Sequence, residues 1–214
     1  MPRRPKPPPP TLVLFVRHGR TPTTGKLLPG QARGLHLDEE GGVQAKVVAE
    51  RLAVLDKLDA VYASPLERAR ETAAPIARRF GLRVRVARAL ADCDSGEWTG
   101  AELKAVAKRP EWRVVQNHPS GFRFPGGESF LEMYTRVVTA VEELRSSHRG
   151  ETLVFVSHAD PIKAAVAHAA GAHLDQFQRF VISPCSVTAI AYGDAGPAVL
   201  TVNSLGDLSQ LKAS

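Results

Sequence analysis

Short apolar runs alternate along this chain with helix-length stretches, and three of the runs end in polar, reactive side chains. Leu12–Val16 leads into Arg17-His18-Gly19, Asp59–Ala63 into Ser64-Pro65-Leu66-Glu67-Arg68, and Thr152–Val156 into Ser157-His158-Ala159-Asp160. Apolar runs of this length fit strands buried on both faces, the state of a parallel sheet covered by helices. Between them, Glu39–Leu55, Leu66–Phe80, Ala101–Lys108, Glu128–Ser147 and Asp160–Ala170 read as helices. Ser64 and Pro65 read as cap and first turn of the second, and Pro161 as first turn of the last. Val43, Val47, Ala49 and Leu52 mark the expected inner face of the first. Arg83–Ala87, Val187–Tyr192 and Ala198–Val202 complete the strands. The alternation predicts a three-layer α/β/α sandwich with a mostly parallel central sheet over residues 11–205.

The flanks read differently. Residues 1–10 hold six prolines with Arg3, Arg4 and Lys6 and are expected to be a disordered tail; 206–214 is expected to be a C-terminal tail. Those three cations supply half of the formal net charge of +6, so the rest of the chain is only mildly basic. That suits a small anionic ligand, whereas nucleic acid asks for a Lys/Arg stripe with stacking aromatics, which is not found. Two cysteines, Cys93 and Cys185, are too few for a disulfide framework. With no run of membrane-spanning length and no signal-peptide core, a cytoplasmic protein without membrane partners is expected. A homodimer is allowed, without a sequence signature that specifies one.

In open α/β sheets, ligands bind outside the carboxyl ends of the strands. Were the three strands parallel neighbours, Arg17, His18, Arg68 and His158 would converge on one crevice. Guanidinium forks match phosphate oxygens bidentately and stay charged. A neutral imidazole can attack phosphorus, and two neighbouring cations pull the pKa of His18 down towards that neutral form. His158 would then donate to the phosphoryl oxygens, and helix starts after Pro65 and His158 would add backbone N–H groups. Gly19 would let the backbone turn tightly beside the ligand. His158, Asp160, His168 and His173 match no strong metal-ligand spacing, so no metal or other cofactor is expected. Asp160 reads as a helix N-terminal acid. His36, His118, His148, His168 and His173 read as surface or structural residues.

Five motifs together carry a family resemblance. They are Arg17-His18-Gly19-Arg20-Thr21, Ser64 to Thr72, Gly96-Glu97-Trp98-Thr99-Gly100, Pro125-Gly126-Gly127-Glu128-Ser129, and Ser157-His158-Ala159. The chain resembles the histidine phosphatase superfamily, in its phosphoglycerate mutase-like branch, from Leu12 to Val202. Gly30 to Gly41 and Ser157 to Ala164 look most like an actinobacterial-type subgroup of probable phosphomutases or phosphatases. The resemblance implies that His18 is the phosphorylated nucleophile and that Arg17, Arg68 and His158 form the phosphate pocket, helped by the backbone N–H of Ala159. Glu128 and Ser129 would support the pocket from behind, or would simply start a helix.

Two departures stand out. Where the family pattern has a glutamate proton donor, four residues before Gly96, this chain has Asp92, one methylene shorter. Glu97 is the second candidate for that role and Asp94 the third. Thr24 stands where many relatives have an asparagine that contacts phosphate, and its hydroxyl would serve instead. Mutase relatives carry a longer basic insertion after the acid, whereas only 25 residues separate Gly100 from Gly126 here. They include Lys104, Lys108, Arg109, Arg113 and Arg123, and read as a lid with Trp112 and Phe122 as substrate walls. Lys26 and Arg33 are candidates to meet a second anionic group. The expected function is hydrolysis of a small phosphate monoester, without metal, through a phosphohistidine on His18. A phosphomutase using the same intermediate is the alternative, and a non-catalytic phospholigand-binding relative a third reading.

Overall fold

The computed structural model describes residues 9–212, so most of the proline-rich segment expected as a tail lies outside the described residues. Strand β1 (Thr11–Arg17) shows how the layers arise. Val13 and Phe15 belong to one core cluster, and Leu14 and Val16 to the other. Strand β4 (Thr152–Ser157) repeats this, with Leu153 and Phe155 on one side and Val154 and Val156 on the other. Side chains alternate across a strand, so an unbroken apolar run requires a helix layer on both faces. Helices α1 (Glu39–Leu52) and α2 (Glu67–Arg79) cover one face. Helices α5 (Phe130–Ser146) and α6 (Ala159–Ala169) cover the other, and the three-layer expectation holds.

The six-stranded sheet also contains β2 (Ala60–Ala63), β3 (Val84–Val86), β5 (Val187–Gly193) and β6 (Gly196–Ser204), in the order β3-β2-β4-β1-β5-β6. The first four run parallel, with β5 and β6 added antiparallel at one side. The sheet is therefore mostly parallel, and β2, β4 and β1 are parallel neighbours. Their carboxyl ends lie side by side: His18 N–H donates to Ser157 O and Ser64 N–H to Val156 O, both at 2.9 Å.

Several boundaries and faces differ from the sequence expectation. Helix α1 ends at Leu52 and turns Gly41, Ala45, Val48, Ala49 and Leu52 inward, leaving Val43 and Val47 more than half exposed. Close approach decides this face over hydrophobicity. A Cβ on Gly41 would lie 2.0 Å from the carbonyl oxygen of Arg20, and one on Gly19 would lie 2.7 Å from that of Gly41. Gly19 thus serves the packing of α1 against the loop after β1. Gly41→Ala is expected to destabilise the fold by about 2 kcal/mol through overpacking, lowering the Tm by roughly 4–8 °C. Gly42→Ala, with nothing within 4 Å of the added methyl, is expected to raise the Tm slightly through helix propensity. Thermal unfolding of the two variants checks the contrast.

Helix α2 starts at Glu67 with Leu66 at its N-cap and no side-chain cap. Ser64 is drawn into the site below. Helix α5 begins two residues later than expected, because Ser129 and Glu132 form a capping box. The stretch 101–108 holds only a short helix, α3 (Leu103–Val106), followed by α4 (Trp112–Asn117). The C-terminal segment packs where a tail was expected: Leu208 is fully buried and Leu211 nearly so. Among the described residues, no helix is long and apolar enough to cross a membrane.

Candidate active site

Four groups meet at the carboxyl end of the sheet. Arg17 ends β1 and His18 follows it, Arg68 is the second residue of α2, and His158 is the N-cap of α6. All but Arg17 are almost completely buried, Arg68 and His158 entirely so. The His18 and His158 rings lie 5.0 Å apart between centroids. His18 Nδ1 lies 2.7 Å from the carbonyl oxygen of Gly19. A carbonyl can only accept, so Nδ1 carries the proton and Nε2 keeps its lone pair. Burial, with Arg17 and then Arg68 beside it, holds the His18 pKa well below the ordinary histidine value. The ring is neutral at physiological pH.

His158 Nε2 lies 2.8 Å from Ser64 Oγ, and Ser64 Oγ also accepts from Leu66 N–H at 3.3 Å. With the hydroxyl donating to Nε2, the His158 proton resides on Nδ1. Burial and the Arg68 charge hold this ring well below its ordinary pKa as well. Arg17 is anchored through Nη1 to the Ile182 carbonyl at 2.6 Å, and Arg68 through Nη2 to that of Gly30 at 2.8 Å. Arg17 Nε, Arg68 Nε and His158 Nδ1 are buried with no hydrogen-bond partner among the described residues. Buried donors without acceptors cost about 1–3 kcal/mol each. A tetrahedral oxyanion supplies several acceptors at once.

Asp92 completes the cluster. Its Oδ2 is 3.4 Å from Arg68 Nη2 and 3.6 Å from His158 Nδ1. Burial pushes the carboxyl up to about 6 against the pull of Arg68, with the charge of Asp160 adding to the rise. The backbone of Asp92 is fastened from two sides. Arg136 Nη2 donates to its carbonyl at 2.8 Å and Gln31 Nε2 at 2.9 Å. Arg136 also reaches the carbonyls of Ala89 and Ala91 and makes a bidentate pair with Glu128 at 2.6 and 2.8 Å. Glu128 therefore supports the acid through Arg136, while Ser129 is a helix cap. Neither Arg136 nor Gln31 carries a local sequence signal, since the fold alone brings them to Asp92.

A cavity of about 230 Å³ opens over this cluster. Arg17, His18 and Asp92 line it, with Ala159 and Asp160 at the start of α6 and Thr24 from the loop after β1. Thr24 Oγ1 accepts from Thr21 N–H at 2.9 Å and also meets the Thr21 hydroxyl. Arg68 and His158 do not line the cavity directly and meet it through their approach to Asp92 Oδ2. Leu27, Leu28, Leu103 and Phe124 form an apolar wall.

Other sequence candidates fall elsewhere. Glu97 is exposed on a 3₁₀ turn (Gly96–Trp98), away from the cavity lining, because its N–H binds Pro125 O and its side chain lies against Gly126. Asp94 accepts from Gly96 N–H within that turn. Phe122 packs into a buried aromatic cluster with Trp98 and Phe130, so Phe124 is the wall in its place; Trp112 packs against the core and does not line the cavity. Lys26, Arg33 and the five cations between Gly100 and Gly126 do not line the cavity. Arg109 stacks over Trp98 and Arg123 pairs with Glu132. The remaining histidines make structural contacts, His36 with Glu71, His118 with Asp175, His148 with Tyr62, His168 with Tyr134 and His173 with Asp175. Among the described residues, no group of three or more His, Cys, Asp or Glu stands ready to hold a metal ion.

Known proteins match this chain over most of its length. The sequence profile of the histidine phosphatase superfamily (branch 1) matches residues 13–205. Phosphoserine phosphatase 1 of Hydrogenobacter thermophilus is 34% identical over 196 residues, covering 89% of this chain and 91% of that one. A bifunctional protein of Mycobacterium tuberculosis is 32% identical over 93% of this chain, which spans only 55% of that longer protein. Among solved structures, the native structure of a mycobacterial glucosyl-3-phosphoglycerate phosphatase superposes with a TM-score of 0.81. It is 25% identical, covering 91% of this chain and 99% of that one.

Proposed function

The chain belongs to the histidine phosphatase superfamily, and from that premise we propose that it hydrolyses a small phosphate monoester in two steps through His18. The observation that carries the reading is the His18 tautomer: Nδ1–H is tied to Gly19 O and the lone pair on Nε2 is left for phosphorus. In the first step Nε2 forms a bond to phosphorus while the ester P–O bond breaks, and the Asp92 carboxyl gives its proton to the leaving oxygen. In the second step water attacks the phosphohistidine, the P–N bond breaks, and the Asp92 carboxylate takes the proton of water. Arg17 and the backbone N–H of Ala159, on the cavity wall, meet the phosphoryl oxygens, and Arg68 and His158, held against Asp92, are the further donors of the pocket.

The lining favours hydrolysis over mutase chemistry. A mutase holds a substrate with two anionic groups, and the basic residues between Gly100 and Gly126 do not line the cavity. The donor set around His18 also supports chemistry without a metal. Activity is expected to survive an excess of a strong chelator unchanged, with inorganic phosphate released stoichiometrically from an alkyl phosphate. Loss of activity restored by a divalent cation would contradict this. A reducing, cytoplasmic setting is supported by two buried, unpaired cysteines.

A further inference from the structure

The charges around the cavity go further and bear on the substrate's other end. Arg17 is the one guanidinium that lines it among the described residues, and no lysine does. Arg17 is committed to the cluster around His18. Asp160 lines the same cavity one residue beyond Ala159, close enough to act on the titration of both Arg17 and Asp92. Its partner, Lys163, approaches Oδ1 at 3.2 Å. Lys163 Nζ is also held by Gln178 Oε1 at 2.8 Å, rests over the Phe177 ring and does not line the cavity. The other Asp160 oxygen has no partner among the described residues. Apart from His18 and Asp92, which are committed to the reaction, the side chains of the remaining wall are apolar, such as Leu27, Leu28, Leu103 and Phe124, or bear hydroxyl or thiol groups.

A carboxylate or second phosphate on the substrate's alcohol would therefore meet an acid and greasy surface in place of a counter-charge. Desolvating a charge without a partner is costly, and a like charge nearby adds to that cost. An uncharged or amine-bearing alcohol would meet no such penalty, and an ammonium would gain from the free oxygen of Asp160. We propose that this site selects phosphate monoesters whose alcohol portion carries no second negative charge, and that Asp160 is the residue that rejects the anion. The inference rests on the phosphatase reading above and narrows its substrate class.

The test compares kcat/KM within pairs of esters that differ only in the second anion: O-phosphoethanolamine against O-phosphoserine, and glycerol 3-phosphate against 3-phosphoglycerate. p-Nitrophenyl phosphate serves as the common reference. The wild-type protein is expected to favour the partner lacking the carboxylate by about 10-fold or more in both pairs. Asp160→Asn, which keeps the size and the polar helix start, is expected to bring the ratios close to one by raising the rate on the anionic partner. Equal rates within the pairs, a preference for the anionic partners, or ratios that Asp160→Asn leaves unchanged overturn the inference while the phosphatase reading stands. No turnover of any ester, p-nitrophenyl phosphate included, overturns both.

Discussion

His18→Ala is expected to lower kcat/KM by roughly 10,000-fold or more for every ester tested, activated or not. The size of the effect follows from the arrangement. The other imidazole in the cluster, that of His158, is engaged at Nε2 by Ser64 Oγ and has Nδ1 3.6 Å from Asp92 Oδ2. Loss of His18 leaves the cationic cluster intact, so the variant is expected to bind inorganic phosphate about as well as wild type. Steady-state kinetics together with phosphate binding separate the two properties. A loss of binding equal to the loss of rate would point to a positioning role for His18 in place of bond formation.

The second large effect concerns Asp92. Asp92→Asn is expected to slow phosphoryl transfer from alkyl phosphates by roughly 100- to 10,000-fold, and from p-nitrophenyl phosphate far less, since an activated leaving group departs without a proton. The pH profile carries the same signature. The reactive form has Asp92 protonated and His18 neutral. Burial raises the Asp92 carboxyl to about 6, so the rate on alkyl esters falls as pH rises through that value. His18, held well below its ordinary pKa, turns on at much lower pH. The second ionisation of a phosphate ester also lies near pH 6, so the alkaline limb is assigned by its change in Asp92→Asn and not by its midpoint alone.

Stability moves the other way. A carboxyl with a raised folded-state pKa binds its proton more tightly in the folded protein. Its penalty is absent below the unfolded value near 3.9 and complete above about 6. Asparagine mimics the neutral carboxyl, so Asp92→Asn is expected to be at least as stable as wild type at pH 8, with the advantage disappearing towards pH 4. Equal slowing of alkyl and aryl esters would remove the proton-donor role.

Much of this site was legible because its residues end strands whose burial the sequence announces. Arg17, His18 and His158 follow apolar runs that only a covered parallel sheet accommodates, and Arg68 follows β2, which pairs with β4 on the side away from β1. Asp92 was legible only through the family resemblance, as the residue standing where that pattern has a glutamate, four before Gly96. Helix faces built of small residues were harder. Gly41 and Ala45 face inward in place of Val43 and Val47, because the close approach of α1 to the Arg20 backbone excludes a larger side chain at Gly41. Contacts across the chain left no local trace. Arg136 lies 44 residues from the carbonyl of Asp92 that it holds, and nothing in its helical neighbourhood marks it. Asp160 looked like an ordinary helix-start acid, and it is one, but the same position also places it on the cavity wall. Ser64 read as a cap and instead hydrogen-bonds the His158 ring, because Leu66 takes the cap position.

The central claim is a covalent phosphoryl group on His18. Rapid mixing with excess substrate, quenching in alkali and peptide mapping by mass spectrometry measure it directly. The account predicts a phosphopeptide containing His18, stable in base and lost in mild acid, that forms before steady state and accumulates further in Asp92→Asn when an aryl phosphate is used, because water then lacks its base. Turnover at full rate with no base-stable phosphopeptide, or a label on any residue other than His18, would contradict it.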